Sequence, residues 1–178
     1  RDKLGLIRDA SETETVAERT RVPDGLFLVP AFTGLGAPHW APDARAAVVG
    51  MTLDTDADQL VTAALQAVCY QTRDLTEAVA ADGAPLRELR VDGGMAVNNW
   101  LLQSLADTVG ITVHRPVCTE TTALGAAMLA GMQVGLFEGV EGLADLWTCE
   151  RTFTPTAPAS DRDRQYRCWM KAVQRAIE

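Results

Sequence analysis

No G-x-x-x-x-G-K-S/T run occurs in this sequence and no G-x-G-x-x-G follows a strand-like segment, which excludes a P-loop and a dinucleotide fingerprint. The four cysteines, Cys69, Cys118, Cys149 and Cys168, stand far apart with no C-x-x-C spacing. A zinc ribbon or redox pair is therefore not expected, and they read as ordinary reduced thiols. His39 and His114 are the only histidines, and neither adjoins a Ser or Cys in a triad motif, so both read as structural or surface groups. The most apolar helical run, 123–134, is too short and too glycine-rich to cross a bilayer, and no signal peptide opens the chain. A cytoplasmic protein without a membrane partner is expected. Basic residues form no cluster, and a formal net charge of -8 argues against a nucleic-acid partner.

What is present is enough apolar material for one core: 47% of 178 residues are hydrophobic, and the length suits one compact unit better than two. The opening residues, Arg1 to Ile7, start without a cap and read as the tail of an element truncated on its N-terminal side. Ser11 and Glu14 fit a capping box ahead of a short acidic helix. Apolar runs at 26–32 and 46–51 predict strands, with Pro30 demoting the first to an edge or strand end. The loop between them, Thr33 to Trp40, holds two glycines, a proline and an aromatic pair, which implies a fixed path.

From Asp56 onward, Ala57, Leu60, Val61, Ala64, Leu65, Val68, Leu75 and Val79 follow the spacing of one buried helix face. Asp56 with Gln59 marks its start and the Asp82-Gly83-Ala84-Pro85 run its stop. A strand through Leu89 and Val91, a helix carrying Leu101, Leu102, Leu105 and Val109 up to Gly110, and a strand from Ile111 to Arg115 follow. Thr121 or Thr122 can cap the next helix, whose small residues would let it pack close to a neighbour. A last helix from Asp161 places Tyr166, Trp169, Val173 and Ile177 on one face, suited to covering the sheet. Strand, helix, strand, helix is the alternation of a parallel α/β layer, whose ligands gather at strand C-terminal ends.

At such an end lies Val91-Asp92-Gly93-Gly94-Met95-Ala96-Val97-Asn98-Asn99. A glycine pair after a strand makes a tight turn at little cost, and that bland reading holds for the pair alone. Joined to a following helix and to Asn98, it could set amides and a helix N-terminus against phosphates. Asp92 could act as a base or accept hydrogen bonds from the turn, and the turn role is favoured. Asp43, Arg45 and Glu120 have no partner spacing and read as solvated, so no catalytic set is visible.

Four segments, LFLVPAFTGLGAPHW (26–40), AVVGMTLDTDADQLVTAALQAVCYQTRD (47–74), RVDGGMAVNN (90–99) and ETTALGAAMLAG (120–131), resemble the C-terminal part of the glycerol kinases, carbohydrate kinases with an actin-like fold. The likeness covers nearly the whole chain. It implies an α/β, ribonuclease-H-like domain, truncated on its N-terminal side, with residues 1–178 forming the C-terminal nucleotide-binding domain. It further implies transfer of a phosphoryl group from ATP to glycerol with Mg2+, by positioning and charge neutralisation. Gly94 and Asn98 match the family positions that contact ATP or ADP, with Gly93 and Asp92 supporting the turn. The family's glycerol-binding residues and catalytic aspartate are expected upstream of Arg1, so the piece is expected to be inactive alone and to self-associate. A homo-oligomer is the expected state. His39 and Ala41 stand where a tyrosine and an aspartate are expected, and Ala46 where glycine is common. Thr33-Gly34-Leu35-Gly36, in place of a glycine-glutamate-arginine type of sequence, favours glycerol over a sugar. The alternatives are a related sugar or polyol kinase, or a non-catalytic nucleotide-binding module.

Overall fold

The computed structural model describes residues 2–137, 139, 143 and 147–178. Helix α1 (Glu12–Arg19) leads to a two-stranded antiparallel sheet of β1 (Phe27–Val29) and β2 (Ala47–Val49), in which Leu28 pairs with Val48. Helix α2 (Ala57–Ala81) follows, then β3 (Glu88–Arg90), a 3-10 turn (Gly94–Val97), α3 (Asn99–Val109), β4 (Thr112–Pro116), α4 (Thr121–Gln133), β5 (Cys149–Phe153) and α5 (Ala159–Ile177). β3 and β4 are parallel, as the strand-helix-strand alternation requires, and β5 joins β4 antiparallel with a bulge opposite Arg115 and Pro116. Strand β5 carries no strand signal in its sequence: of its five residues only Phe153 is buried, and no apolar alternation marks it.

The α2 boundaries follow from local chemistry. The Asp56 side chain accepts from the Gln59 amide at 2.8 Å, and Gln59 reciprocates with the Asp56 amide at 3.2 Å, a complete capping box. The expected single buried face is corrected by the structure: Ala57, Ala64, Val68, Leu75 and Val79 are exposed, whereas Cys69, Tyr70, Arg73 and Asp74 are buried. α2 is wedged between two cores, so its buried surface is not one stripe. On one side Leu65 and Cys69 meet Leu101, Leu102 and Leu105 of α3, with Val113 and Phe153 of the three-stranded sheet. On the other, Ala67 and Tyr70 meet Phe27 and Val29 of β1 and Trp169 and Val173 of α5. Tyr70 and Trp169 stack at 5.2 Å, and Phe27 meets both edge-on. α5 thus docks as expected, although Ile177 stays exposed.

Two buried polar side chains of α2 tie these layers together. Asp74 accepts from Tyr166 Oη at 2.8 Å, from Trp169 Nε1 at 3.0 Å and from His39 Nε2 at 3.0 Å. Its neighbour Arg73 donates to Glu77, to Asp163 at 2.7 Å and to the Thr108 and Arg162 carbonyls, with its guanidinium 4.2 Å above the Tyr166 ring. Burial and the bond to Asp74 push the Tyr166 hydroxyl well above its ordinary value. Through His39 the same carboxylate anchors the 33–40 loop, whose fixed path is closed by reciprocal Leu35 and Ala41 backbone bonds of 2.8 and 2.9 Å. Gly50 closes the strand pair at φ +85°, where a Cβ would lie 2.0 Å from the Gly25 carbonyl oxygen.

α4 departs from expectation. Neither threonine caps it: Glu120 holds the cap position without a side-chain bond, and the Thr121 hydroxyl donates to Asp92 instead. Asp92 therefore ties the glycine turn to α4. Only Gly131 of this helix is buried, and Ala126, Ala127, Leu129 and Ala130 face solvent. The close neighbour expected for its small residues is not found among the described residues. No helix among the described residues is long and apolar enough to cross a membrane.

Candidate functional site

At the C-terminal end of β3 the chain leaves the sheet through Gly93, whose φ of +83° is open to glycine and strained for other residues. The Gly93 amide donates to the Thr119 carbonyl at 2.8 Å, so the two strand-end loops of the parallel pair are bonded together. Gly94 then opens the 3-10 turn. A Cβ there would meet nothing within 4 Å, and the amides of Gly94 and Met95 make no backbone hydrogen bond among the described residues. Arg115 of β4, itself buried, holds the far side of the turn. It donates to the Ala96 and Val97 carbonyls at 3.0 and 3.2 Å, and its remaining nitrogens pair with Glu150. The Arg115 hydrogen bond keeps the Glu150 carboxyl below its ordinary value.

The turn continues into α3 through Asn98, which is buried and caps the helix: its Oδ1 accepts from the Leu101 amide at 2.8 Å. Its Nδ2 donates to Thr13 Oγ1 at 3.4 Å. The Ser11 and Glu14 capping box expected for α1 is corrected by the same contacts. Ser11 makes no cap bond and donates to Asp9, while the Glu14 carboxylate accepts from the Asn99 amide at 2.8 Å and from Asn99 Nδ2 at 2.9 Å. A carboxylate at the positive end of α3 is the more favourable placement, because it meets amides that the helix itself leaves unpaired.

Between these pieces lies a cleft of about 580 Å³. Leu65, Met95, Val97 and Leu101 supply apolar walls, with Gly94 and Asn98 beside them and Ser11, Thr13 and Glu14 at the α1 side. Gly93, Gly94 and Asn98, the three residues singled out from sequence, therefore share one turn, and two of them line the cleft. The part that Thr13, Glu14 and Arg115 play at this turn is not readable from sequence: their partners lie 85 and about 18 residues away, Thr13 and Glu14 stand in a polar run, and only Arg115 is signalled, as a charged residue within a strand. An apolar slot of this size, beside amides with no backbone partner among the described residues, suits a flat ring carrying an anionic group. It contains no nucleophile and base pair, and no group of His, Cys, Asp and Glu among the described residues suits a metal ion.

Residues 2–134 match the C-terminal domain of the FGGY family of carbohydrate kinases. The chain is 56% identical over 179 residues to a glycerol kinase of Alcanivorax borkumensis, covering 100% of this chain and 36% of that protein. A glycerol kinase of Alteromonas mediterranea is 52% identical, covering 98% and 35%. The chain thus spans about a third of the length of the curated relatives it matches. Among solved structures, Plasmodium falciparum glycerol kinase with ADP superposes with a TM-score of 0.85 at 33% identity, covering 97% of this chain and 35% of that one. A ligand-bound xylulose kinase from Lactobacillus acidophilus reaches 0.81 at 16% identity over 96% and 36%, a likeness of fold alone. The α/β, actin-like architecture expected from sequence is the one observed.

Proposed function

Because the chain belongs to the FGGY family of carbohydrate kinases, we propose that residues 1–178 form the C-terminal nucleotide-binding domain of a glycerol kinase and supply one wall of its ATP site. The observation that carries this reading is the turn after β3, where the amides of Gly94 and Met95, without a backbone partner among the described residues, stand at an apolar cleft held by Asn98 and Arg115. The cleft takes the nucleotide, with Gly94 giving room for close approach and Gly93 setting the turn. The reaction is transfer of the γ-phosphoryl group of ATP to a glycerol hydroxyl, which depends on positioning more than on covalent help from the protein. The described residues offer no cradle for Mg2+, so no step through the metal is assigned to this chain.

A titration of ADP into the chain, into Gly94→Val and into Asn98→Ala tests the site. Binding is expected for the unaltered chain and weaker binding for Gly94→Val; equal heats for all three would remove the assignment. A coupled assay of glycerol-dependent ADP release is expected to show no turnover by this chain alone. The exposed apolar residues of α4 support self-association, and a clean monomer in sedimentation at high protein concentration would count against it. A cytoplasmic location accompanies this reading.

A further inference from the structure

The outer face of the β3-β4-β5 sheet carries a second constellation that the nucleotide site does not use. His114 of β4 pairs in register with Arg90 of β3 and with Thr152 of β5. Its Nε2 faces Glu88 Oε2 at 3.3 Å, while its Nδ1 lies 3.0 Å from Thr152 Oγ1 and 3.8 Å from Cys149 Sγ. Cys149 Sγ is also 3.5 Å from the Thr152 hydroxyl. The Trp147 ring stands edge-on to the imidazole at 6.4 Å, with the Arg90 guanidinium 4.2 Å from its centroid.

The β-bulge brings the thiol to this place. Cys149 and Thr152 are three residues apart and in a regular strand would point to opposite faces. The pairing runs His114 with Thr152, Arg115 with Arg151 and Pro116 with Cys149, which leaves Glu150 as the extra residue. One inserted residue returns Cys149 to the face of His114, the re-aiming that bulges provide. Glu150, displaced by the bulge, is bound by Arg115 on the other side.

We propose that Cys149 is a modification site, a thiol activated by His114 and Glu88 for exchange with low-molecular-weight disulfides. Glu88 stands 3.3 Å from Nε2, on the side of the ring away from the thiol, while Nδ1 faces the Thr152 hydroxyl and the Cys149 thiol, which also lies 3.5 Å from the Arg151 carbonyl. Nδ1 takes the Cys149 proton, and the Thr152 hydroxyl turns to donate to the thiolate. The thiolate attacks one sulfur of the disulfide: a new bond forms from Cys149 Sγ, the old sulfur–sulfur bond breaks, and the departing thiolate leaves as a thiol with the proton from His114. Cys149 is oxidised, and half of the small disulfide is reduced. Cys118 supplies an internal control, because it is equally an exposed free cysteine but has no hydrogen-bond partner among the described residues.

The test treats the chain with glutathione disulfide at neutral pH and follows the mixed disulfide at each cysteine by peptide mass spectrometry. Cys149 is expected to react roughly tenfold faster than Cys118, the gain of an imidazole nitrogen within reach of the thiol proton. His114→Asn is expected to bring Cys149 down to the Cys118 rate with an unchanged far-ultraviolet circular dichroism spectrum, and Glu88→Gln to slow it less. Glu88 is exposed, so that variant keeps the test alive if His114→Asn fails to fold. Equal rates at Cys149 and Cys118, or a rate at Cys149 that neither variant lowers, would overturn the proposal.

Discussion

Removing the Asp74 carboxylate tests whether one buried side chain holds the 33–40 loop, α2 and α5 together. Asp74→Ala leaves three donors, Tyr166 Oη, Trp169 Nε1 and His39 Nε2, without their acceptor. Trp169 is only 1% exposed, so water cannot replace the lost partner of its indole nitrogen. A hydrogen bond to a charged group contributes about 1.5–3 kcal/mol, but three donors sharing one carboxylate are not additive. Breaking a buried charged network costs about 3–5 kcal/mol, and we expect a loss in that range. With a urea slope of about 2 kcal/mol/M, the unfolding midpoint should fall by about 1.5–2.5 M. Asp74→Asn keeps one oxygen acceptor and should lose about half as much. Asp58→Ala, which removes an exposed ion pair to Arg19, is the control and should cost less than about 1 kcal/mol. If Asp74→Ala moved the midpoint no further than this control, the carboxylate would not be the anchor described.

Gly50→Ala should destabilise the chain by about 2–4 kcal/mol in the same assay, because both the +85° φ and the Gly25 carbonyl oppose a Cβ; a neutral result would contradict the close approach. Gly94→Ala and Asn98→Ala should separate in stability. The first should change it by less than about 1 kcal/mol because its Cβ meets open space, and the second should cost about 1 kcal/mol or more through the lost cap. The opposite ranking in urea melts would be incompatible with this geometry. Acid should destabilise the fold. Hydrogen bonds from Arg164, Arg115 and Arg73 hold the Asp24, Glu150 and Asp163 carboxyls below their ordinary values of 3.8, 4.5 and 3.8. A lowered folded-state value means that the stabilisation is present above the ordinary value and is lost as pH falls through the folded one. Thermal melts should therefore weaken below pH 4.5, and Glu150→Gln should lie nearer to the unaltered chain in acid than at neutral pH. An unchanged gap would refute that sign.

Elements closed by neighbours in the chain were legible without coordinates. The α2 capping box joins Asp56 and Gln59 across three residues, and Gly110 ends α3 in the left-handed conformation that glycine favours. The Gly93–Gly94 turn and the parallel β3–β4 pair followed from local pattern and alternation. Side chains whose partners are remote were not legible. Glu14 has the form of a capping residue for its own helix, yet it bonds Asn99, 85 residues away, where unpaired amides of α3 hold it better. Asp74 occupied no place in an apolar repeat, and its role exists only once α5 brings Tyr166 and Trp169 over α2. Cys149 and His114 lay 35 residues apart with no motif between them, and a single bulged residue decides that they share a face. Sequence by itself determined both ends of α2, the glycine stop of α3, the turn and the family likeness, since these depend on contacts within a few residues and on quoted motifs. Tertiary structure alone decided which polar groups meet, because burial converts a distant carboxylate, ring or thiol into the nearest available partner.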